Sequence, residues 1–147
     1  MRIIKKQVKD QPLTVTVEYP EWNGYVEGLI NRLEKADIRF SGRIDERTVS
    51  VSLSDIYYIE NVERRLFLYT RGEVYRFDGS MTDIEKLTAG TEMVRISRTC
   101  IMNTAYLREI RQIRNSHLEA VMDNGEKLIV SRKYLPDIKR IFKREGV

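Results

Sequence analysis

A chain of 147 residues with 41% hydrophobic and 33% charged side chains suits one compact domain, or one domain plus a short extension, with a core and a large solvated surface. No apolar run approaches the roughly 18 residues needed to span a bilayer. The start, MRIIKKQVKD, does not read as a signal peptide, and the single cysteine, Cys100, excludes an intrachain disulfide. A cytoplasmic protein in a reducing compartment is therefore expected.

The net charge of +4 is unevenly distributed. Residues 95–147 hold 12 Lys/Arg against 6 Asp/Glu, and residues 1–94 hold 14 against 16. A basic C-terminal third points to an acidic partner, of which nucleic acid is the commonest.

In chain order, Leu13, Val15, Val17 and Tyr19 of LTVTVEY alternate with polar neighbours, which predicts a strand closed by Pro20. Trp22, Tyr25, Val26, Leu29, Ile30 and Leu33 then recur at helical spacing. They predict an amphipathic helix that closes near Ala36–Asp37 and is expected to bury against its own sheet. IRFSG (38–42) reads as a strand. TVSVSL (48–53) places Val49, Val51 and Leu53 on one face and Thr48, Ser50 and Ser52 on the other.

Strand signals become dense from Asp55. IYYIE is followed by RRLFLYT, a tight turn at Arg71–Gly72 and EVYRF, a hairpin by pattern. Ser80, three residues before Asp83, predicts the start of a short helix over roughly 81–88. EMVRI is a further strand. LEAVM and KLIVS flank Asp123-Asn124-Gly125-Glu126, where Asn124-Gly125 is the strongest hairpin signal in the chain. In YLPDIKRIF, Leu135, Ile138, Ile141 and Phe142 fall at helical spacing, provided that Pro136 lies in the first turn. The sum is a mainly β protein (α+β by content) built of sequentially adjacent antiparallel strands, not a doubly wound parallel sheet.

Catalysis and metal binding need convergent groups. One cysteine and one histidine, His117, are too few for a zinc site. A Cys100–His117 pair is formally available, but Cys100 reads as a small half-buried thiol and His117 as either an exposed or a strand-entry residue. No phosphate-cradling glycine motif is present. No enzyme activity, metal or cofactor is expected.

Binding remains. Three basic-polar segments interrupt the strand pattern: Asn61-Val62-Glu63-Arg64-Arg65, Ser97-Arg98-Thr99 and Ser131-Arg132-Lys133. Arg64, Arg98 and Arg132 lie 34 residues apart in each case. Arginine offers a planar fork suited to guanine O6 and N7 or to phosphate. Serine and threonine commonly fix register on phosphate.

The stretches DIYYIENVERRLFLYT, GSMTDIEKL, VRISRTCIMN and NGEKLIVSRKYLPDIK resemble, in order and spacing, the LytTR DNA-binding domain family of bacterial transcription regulators. The resemblance covers about residues 45–145. It implies an elongated fold of several small antiparallel sheets with short helices. It also implies that connecting loops, rather than a recognition helix, enter successive major grooves of double-stranded DNA.

Carried over residue by residue, the resemblance implies base contacts from Arg64 or Arg65, from Arg98 and from Arg132, with Ser97, Thr99 and Lys133 beside them. Ser97 stands where many members carry histidine. Ile101 and Met102 would anchor the segment after Arg98 in the core, and Asn103 would act as a local backbone cap. Residues 1–44 would form a strand-helix-strand extension and residues 45–147 the DNA-binding domain. The extension is too short for a receiver domain, so the chain resembles the stand-alone class, some members of which answer to a small membrane-protein partner. Two copies on direct repeats are expected. The competing reading is a β-rich interaction module that binds an acidic protein or lipid surface through the same basic loops.

Overall fold

Strand-period alternation is satisfied only where a neighbouring strand completes the backbone hydrogen bonds, and this decides which predicted strands form. The computed structural model describes residues 1–114 and 117–144, with side chains described through residue 140. The chain divides into two compact units, residues 1–37 and the chain from Ile38 onward.

In the first unit, helix α1 spans Gly24–Ala36. Asn23 caps it, its side-chain oxygen accepting from Val26 N at 3.0 Å. The cap also satisfies one of the donors that a helix N-terminus leaves open. The strand expected over residues 13–19 does not form. Seven residues between Pro12 and Pro20 have no strand beside them to complete a ladder, and Leu13 and Val15 are exposed. Trp22 and Tyr25 are 55% and 65% exposed.

The second unit is antiparallel throughout. Its strands are β1 (Arg39–Ile44), β2 (Arg47–Ser52), β3 (Ile56–Val62), β4 (Arg65–Thr70), β5 (Val74–Phe77), β6 (Met93–Arg95), β7 (Cys100–Asn103), β8 (Leu107–Gln112), β9 (Leu118–Met122) and β10 (Lys127–Val130). Seven of them form one sheet in the order β2-β1-β5-β4-β3-β7-β6, and the last three form a second in the order β10-β9-β8. Helices α2 (Met81–Leu87) and α3 (Leu135–Arg144) complete the unit.

The strand assigned from sequence to the extension, β1, is hydrogen-bonded on both sides, to β2 and to β5. The second compact unit thus begins at Ile38, just before β1. Gly42 permits this packing: a Cβ there would lie 2.8 Å from Tyr75 Cβ and 2.9 Å from Val51 Cγ2.

Adjacent residues of a strand face opposite sides of a sheet, and β7 feeds two cores in this way. Ile101 joins Phe40, Val51, Leu53, Ile59, Leu66, Leu68 and the α2 residues Met81 and Ile84. Cys100 and Met102 join Val94, Ile96, Ala120, Met122, Val130 and the α3 residue Ile138. A register shift in β3 between Ile56 and Tyr58 lets two consecutive residues, Tyr57 and Tyr58, enter this second core. There Tyr57 stacks on Tyr106 at 4.2 Å and Tyr58 on Tyr69 at 4.3 Å.

Local signals behave as their chemistry requires. Ser80 and Asp83 form a capping box, each side chain meeting the other's backbone N–H. Gly125, at φ 88°, turns the chain between β9 and β10. Asn103 is buried; it accepts from Ala105 N at 3.0 Å and donates to Ile56 O at 2.9 Å, which makes it a cap and also a tie to β3. Strand β8 has no counterpart among the strands expected from sequence. Its burial alternates poorly, because it is an edge strand whose Arg108, Glu109, Arg111 and Gln112 are all exposed. The apolar positions Ile141 and Phe142 lie outside the described side chains. Among the described residues, no helix is long and apolar enough to cross a membrane.

Candidate nucleic-acid interface

Each basic-polar segment sits where a strand ends. The first is the tip of the β3–β4 hairpin, closed by the Val62–Arg65 pair. Its two turn residues, Glu63 and Arg64, have φ of 52° and 67°. Positive φ at both central positions is the type I′ arrangement that matches strand twist, usually with Asn-Gly. Here two long charged side chains take it, at a cost of about 1–2 kcal/mol each. Arg64 thus stands at the tip and Arg65 begins β4, both exposed.

The second segment is the loop from Ile96 to Thr99, between β6 and β7. Ile96 N donates to Cys100 O at 3.0 Å, and Thr99 N donates to Ser97 Oγ at 3.2 Å. Ser97 is half-buried, and Arg98 and Thr99 are exposed. The Arg98 side chain enters no hydrogen bond or ion pair among the described residues.

The third segment follows β10. Ser131 leads into a 3-10 turn at Arg132–Tyr134, with Tyr134 N donating to Ser131 O at 3.0 Å. Arg132 and Lys133 are exposed, and Lys133 Nζ lies 5.5 Å from the centre of the Tyr134 ring.

Two backbone hydrogen bonds join these segments. Asn61 N donates to Thr99 O at 2.8 Å, tying the first hairpin to the central loop. Ser131 N donates to Ile96 O at 2.7 Å, tying the third segment to the other end of the same loop. Three stretches far apart in sequence are thereby set side by side, with the Arg98 loop in the middle. Neither link is visible in the sequence, because neither follows from local periodicity.

Sequence reasoning also missed Arg95. Its guanidinium is turned back onto the protein, where it pairs with Glu85 of α2 and donates to the carbonyls of Ser97, at 3.0 Å, and of Arg98. The only available signal was the pair of arginines three residues apart in RISR. Cys100 is buried in the second core, and His117 is exposed at the entry to β9. Among the described residues, no three His, Cys, Asp or Glu side chains are grouped to hold a metal.

The family model described as the LytTr DNA-binding domain matches residues 46–143. The sensory transduction protein LytT of Enterococcus faecalis is 30% identical over 95 residues, covering 65% of this chain and 39% of that protein. The transcriptional regulatory protein YpdB of Escherichia coli is 28% identical over 98 residues, 66% of this chain and 40% of that one. The chain therefore spans about two-fifths of the length of these relatives. A solved LytTr DNA-binding domain of a methyl-accepting/DNA response regulator from Bacillus cereus superposes with a TM-score of 0.65 at 20% identity, over 71% of this chain and 95% of that one. The domain match, covering most of the chain from β2 onward, and the shared antiparallel fold identify this chain as a member of the LytTR family.

Proposed function

We propose that this protein is a cytoplasmic, non-enzymatic transcriptional regulator that binds specific sequences in double-stranded DNA, reading bases in the major groove with Arg64, Arg98 and Arg132. The single observation that carries the reading is the pair of backbone ties, Asn61 to Thr99 and Ser131 to Ile96, which set three exposed basic segments side by side. Family membership and the relatives named as transcriptional regulators support the same reading. Ser97, Thr99, Arg65 and Lys133 flank the three arginines and supply contacts to phosphate, which fix register without carrying sequence information.

A single domain with three reading side chains covers about one turn of duplex, roughly 10 base pairs. A few fork contacts, each discriminating by about 1–3 kcal/mol, leave it weak against genomic competitors. Two copies on direct repeats, held close by the DNA itself, supply the remaining specificity.

The test is selection of bound sequences from a random duplex pool, followed by insertion of five base pairs between the recovered repeats. A recovered motif whose two-site affinity falls with the half-turn insertion is the expected result. Recovery of no motif at all would favour a module that binds acidic surfaces without sequence preference. A motif whose affinity ignores the insertion would mean that the copies bind independently.

A further inference from the structure

We infer that Arg95 and Glu85 form a positioning brace that holds the Arg98 loop in its base-reading shape, so that Arg95 sets sequence preference without touching DNA. The inference rests on the proposed role of Arg98 and goes beyond it.

The central loop is unusual in where its carbonyls point. Ile96 O accepts from Ser131 N at 2.7 Å, Thr99 O from Asn61 N at 2.8 Å, and Cys100 O from Ile96 N at 3.0 Å. The remaining two, Ser97 O and Arg98 O, accept from Nε and Nη2 of Arg95. Five consecutive carbonyls, from Ile96 to Cys100, therefore have protein donors. Backbone N–H groups satisfy three of them, and one guanidinium satisfies the other two.

An exposed loop normally leaves such oxygens to water. Beside a phosphate backbone, outward carbonyl dipoles would repel the DNA. Turning all five toward donors leaves side chains, those of Arg98 and Thr99, as the outward features of the loop. The two carbonyls held by Arg95 are those on either side of the Arg98 N–H and Cα. They fix the direction in which the Arg98 Cα–Cβ bond leaves the backbone.

Only a planar fork can serve both carbonyls and a carboxylate together. Arg95 divides its three nitrogens among Ser97 O, Arg98 O and Glu85, and its side chain is only 26% exposed. Lysine, a point charge on a flexible stem, cannot reproduce this. Glu85 lies on α2, whose capping box and buried Met81 and Ile84 fix the helix on the first core. The brace thus refers the reading loop to a rigid helix, and its charge is already neutralised by Glu85. Arg95 consequently contributes little to attraction of phosphate.

The experiment compares Arg95→Lys, Glu85→Gln and Arg98→Ala, and the double variant Arg95→Lys/Arg98→Ala, on the duplex selected by the unaltered protein, on the same duplex changed at the base pair assigned to Arg98, and on random duplex. Thermal unfolding is measured alongside. Arg95→Lys is expected to reduce the preference at that base pair by roughly five- to tenfold, with Glu85→Gln acting in the same direction more weakly. Binding to random duplex and its salt slope should be unchanged. In the double variant, Arg95→Lys should have no further effect on preference, because the side chain it positions is gone.

An equal loss on all three duplexes with a shallower salt slope would overturn the brace in favour of a direct phosphate contact. Unchanged preference in both Arg95→Lys and Glu85→Gln, with Arg98→Ala impaired, would overturn it while leaving the role of Arg98 intact. Unchanged preference in Arg98→Ala would instead sink the reading on which the brace rests.

Discussion

Glu60 and Cys100 are paired across the β3–β7 ladder, and the Cys100 thiol is buried in the second core. Burial first, and the Glu60 carboxylate second, push the Cys100 thiol well above the usual thiol range. The thiol is therefore protonated and unreactive in the folded state at neutral pH. We predict slow alkylation of native protein at pH 7 and rapid alkylation after denaturation. Fast native alkylation that also abolished DNA binding would restore a redox role.

The same shift sets a pH dependence. A group whose proton is held more tightly in the folded state contributes stability below its unfolded pKa, and that contribution is lost as pH rises toward the folded value. For Cys100 the loss begins near the ordinary thiol value of 9.0. Tyr57, raised by burial and then by Asp123, and Tyr106, raised by burial and then by Asp55, add to the loss from about pH 10 upward. Denaturant midpoints are expected to fall from pH 9 upward. Cys100→Ala should flatten the first part of that fall, and a wild-type profile level to pH 11 would contradict the assignment.

The strained β3–β4 turn makes a separate prediction. Asn accepts the left-handed region more readily than Glu does. Glu63→Asn should therefore raise stability by roughly 0.5–1 kcal/mol, since part of the left-handed cost is relieved. Arg64 keeps its place in the turn, so specific DNA affinity should persist. Adding Arg64→Gly should stabilise the turn further and lower specific affinity, separating the strain from the side chain that bears it. A rise in stability is read from the urea midpoint at constant slope; a fall in Glu63→Asn would mean that the turn is not strained at that position.

How much of this was legible in advance depends on the range of the interaction. The Ser80–Asp83 capping box, the Asn124-Gly125 turn and the Arg71–Gly72 hairpin loop are determined within a few residues, and their sequences state them. LTVTVEY carries an equally clear strand period but no strand beside it, so the period alone misleads. Strand β8 shows the converse: its alternation is weak, and it is a strand because β9 pairs with it. The three basic segments were legible as interruptions of the strand pattern. Their juxtaposition was not, because it rests on hydrogen bonds from Asn61 to Thr99 and from Ser131 to Ile96. Arg95 is plain in the sequence as a residue, but its acceptor on α2 is set only by the three-dimensional fold.

The placement of β1 bears on where the domain begins. Because β1 is held between β2 and β5, with Gly42 packed against Tyr75 and Val51, a truncation starting at Ile38 should keep the second unit folded. A truncation starting at residue 45 would strip the inner edge from β2 and β5 and remove Phe40, which is 3% exposed in the first core. It is expected to lose several kcal/mol or to aggregate through the exposed edge. Gly42→Ala in the full chain should cost roughly 1–3 kcal/mol through overpacking against Tyr75. Equal denaturant midpoints for the two truncations would place the true boundary after β1.

Lys133 and Arg132 are neighbours in one exposed turn, and the proposed interface assigns them different tasks. Arg132 has a fork that can engage two acceptors on one base edge. Lys133 has a single ammonium on a flexible stem, and its Nζ already lies over the Tyr134 ring at 5.5 Å, on the rim of the turn. A point charge held beside the duplex attracts phosphate whatever the sequence. Each phosphate neutralised releases counterions and contributes about 0.9 to the salt slope. Lys133→Ala should therefore weaken specific and random duplexes by the same factor and make the slope shallower by about one. Arg132→Ala should instead lower affinity for the selected sequence by about 1–3 kcal/mol, with a smaller loss on random duplex. Salt titrations of both variants on both duplexes separate the two assignments. If Lys133→Ala leaves the slope unchanged while altering base preference, the reading and positioning roles within this turn are reversed.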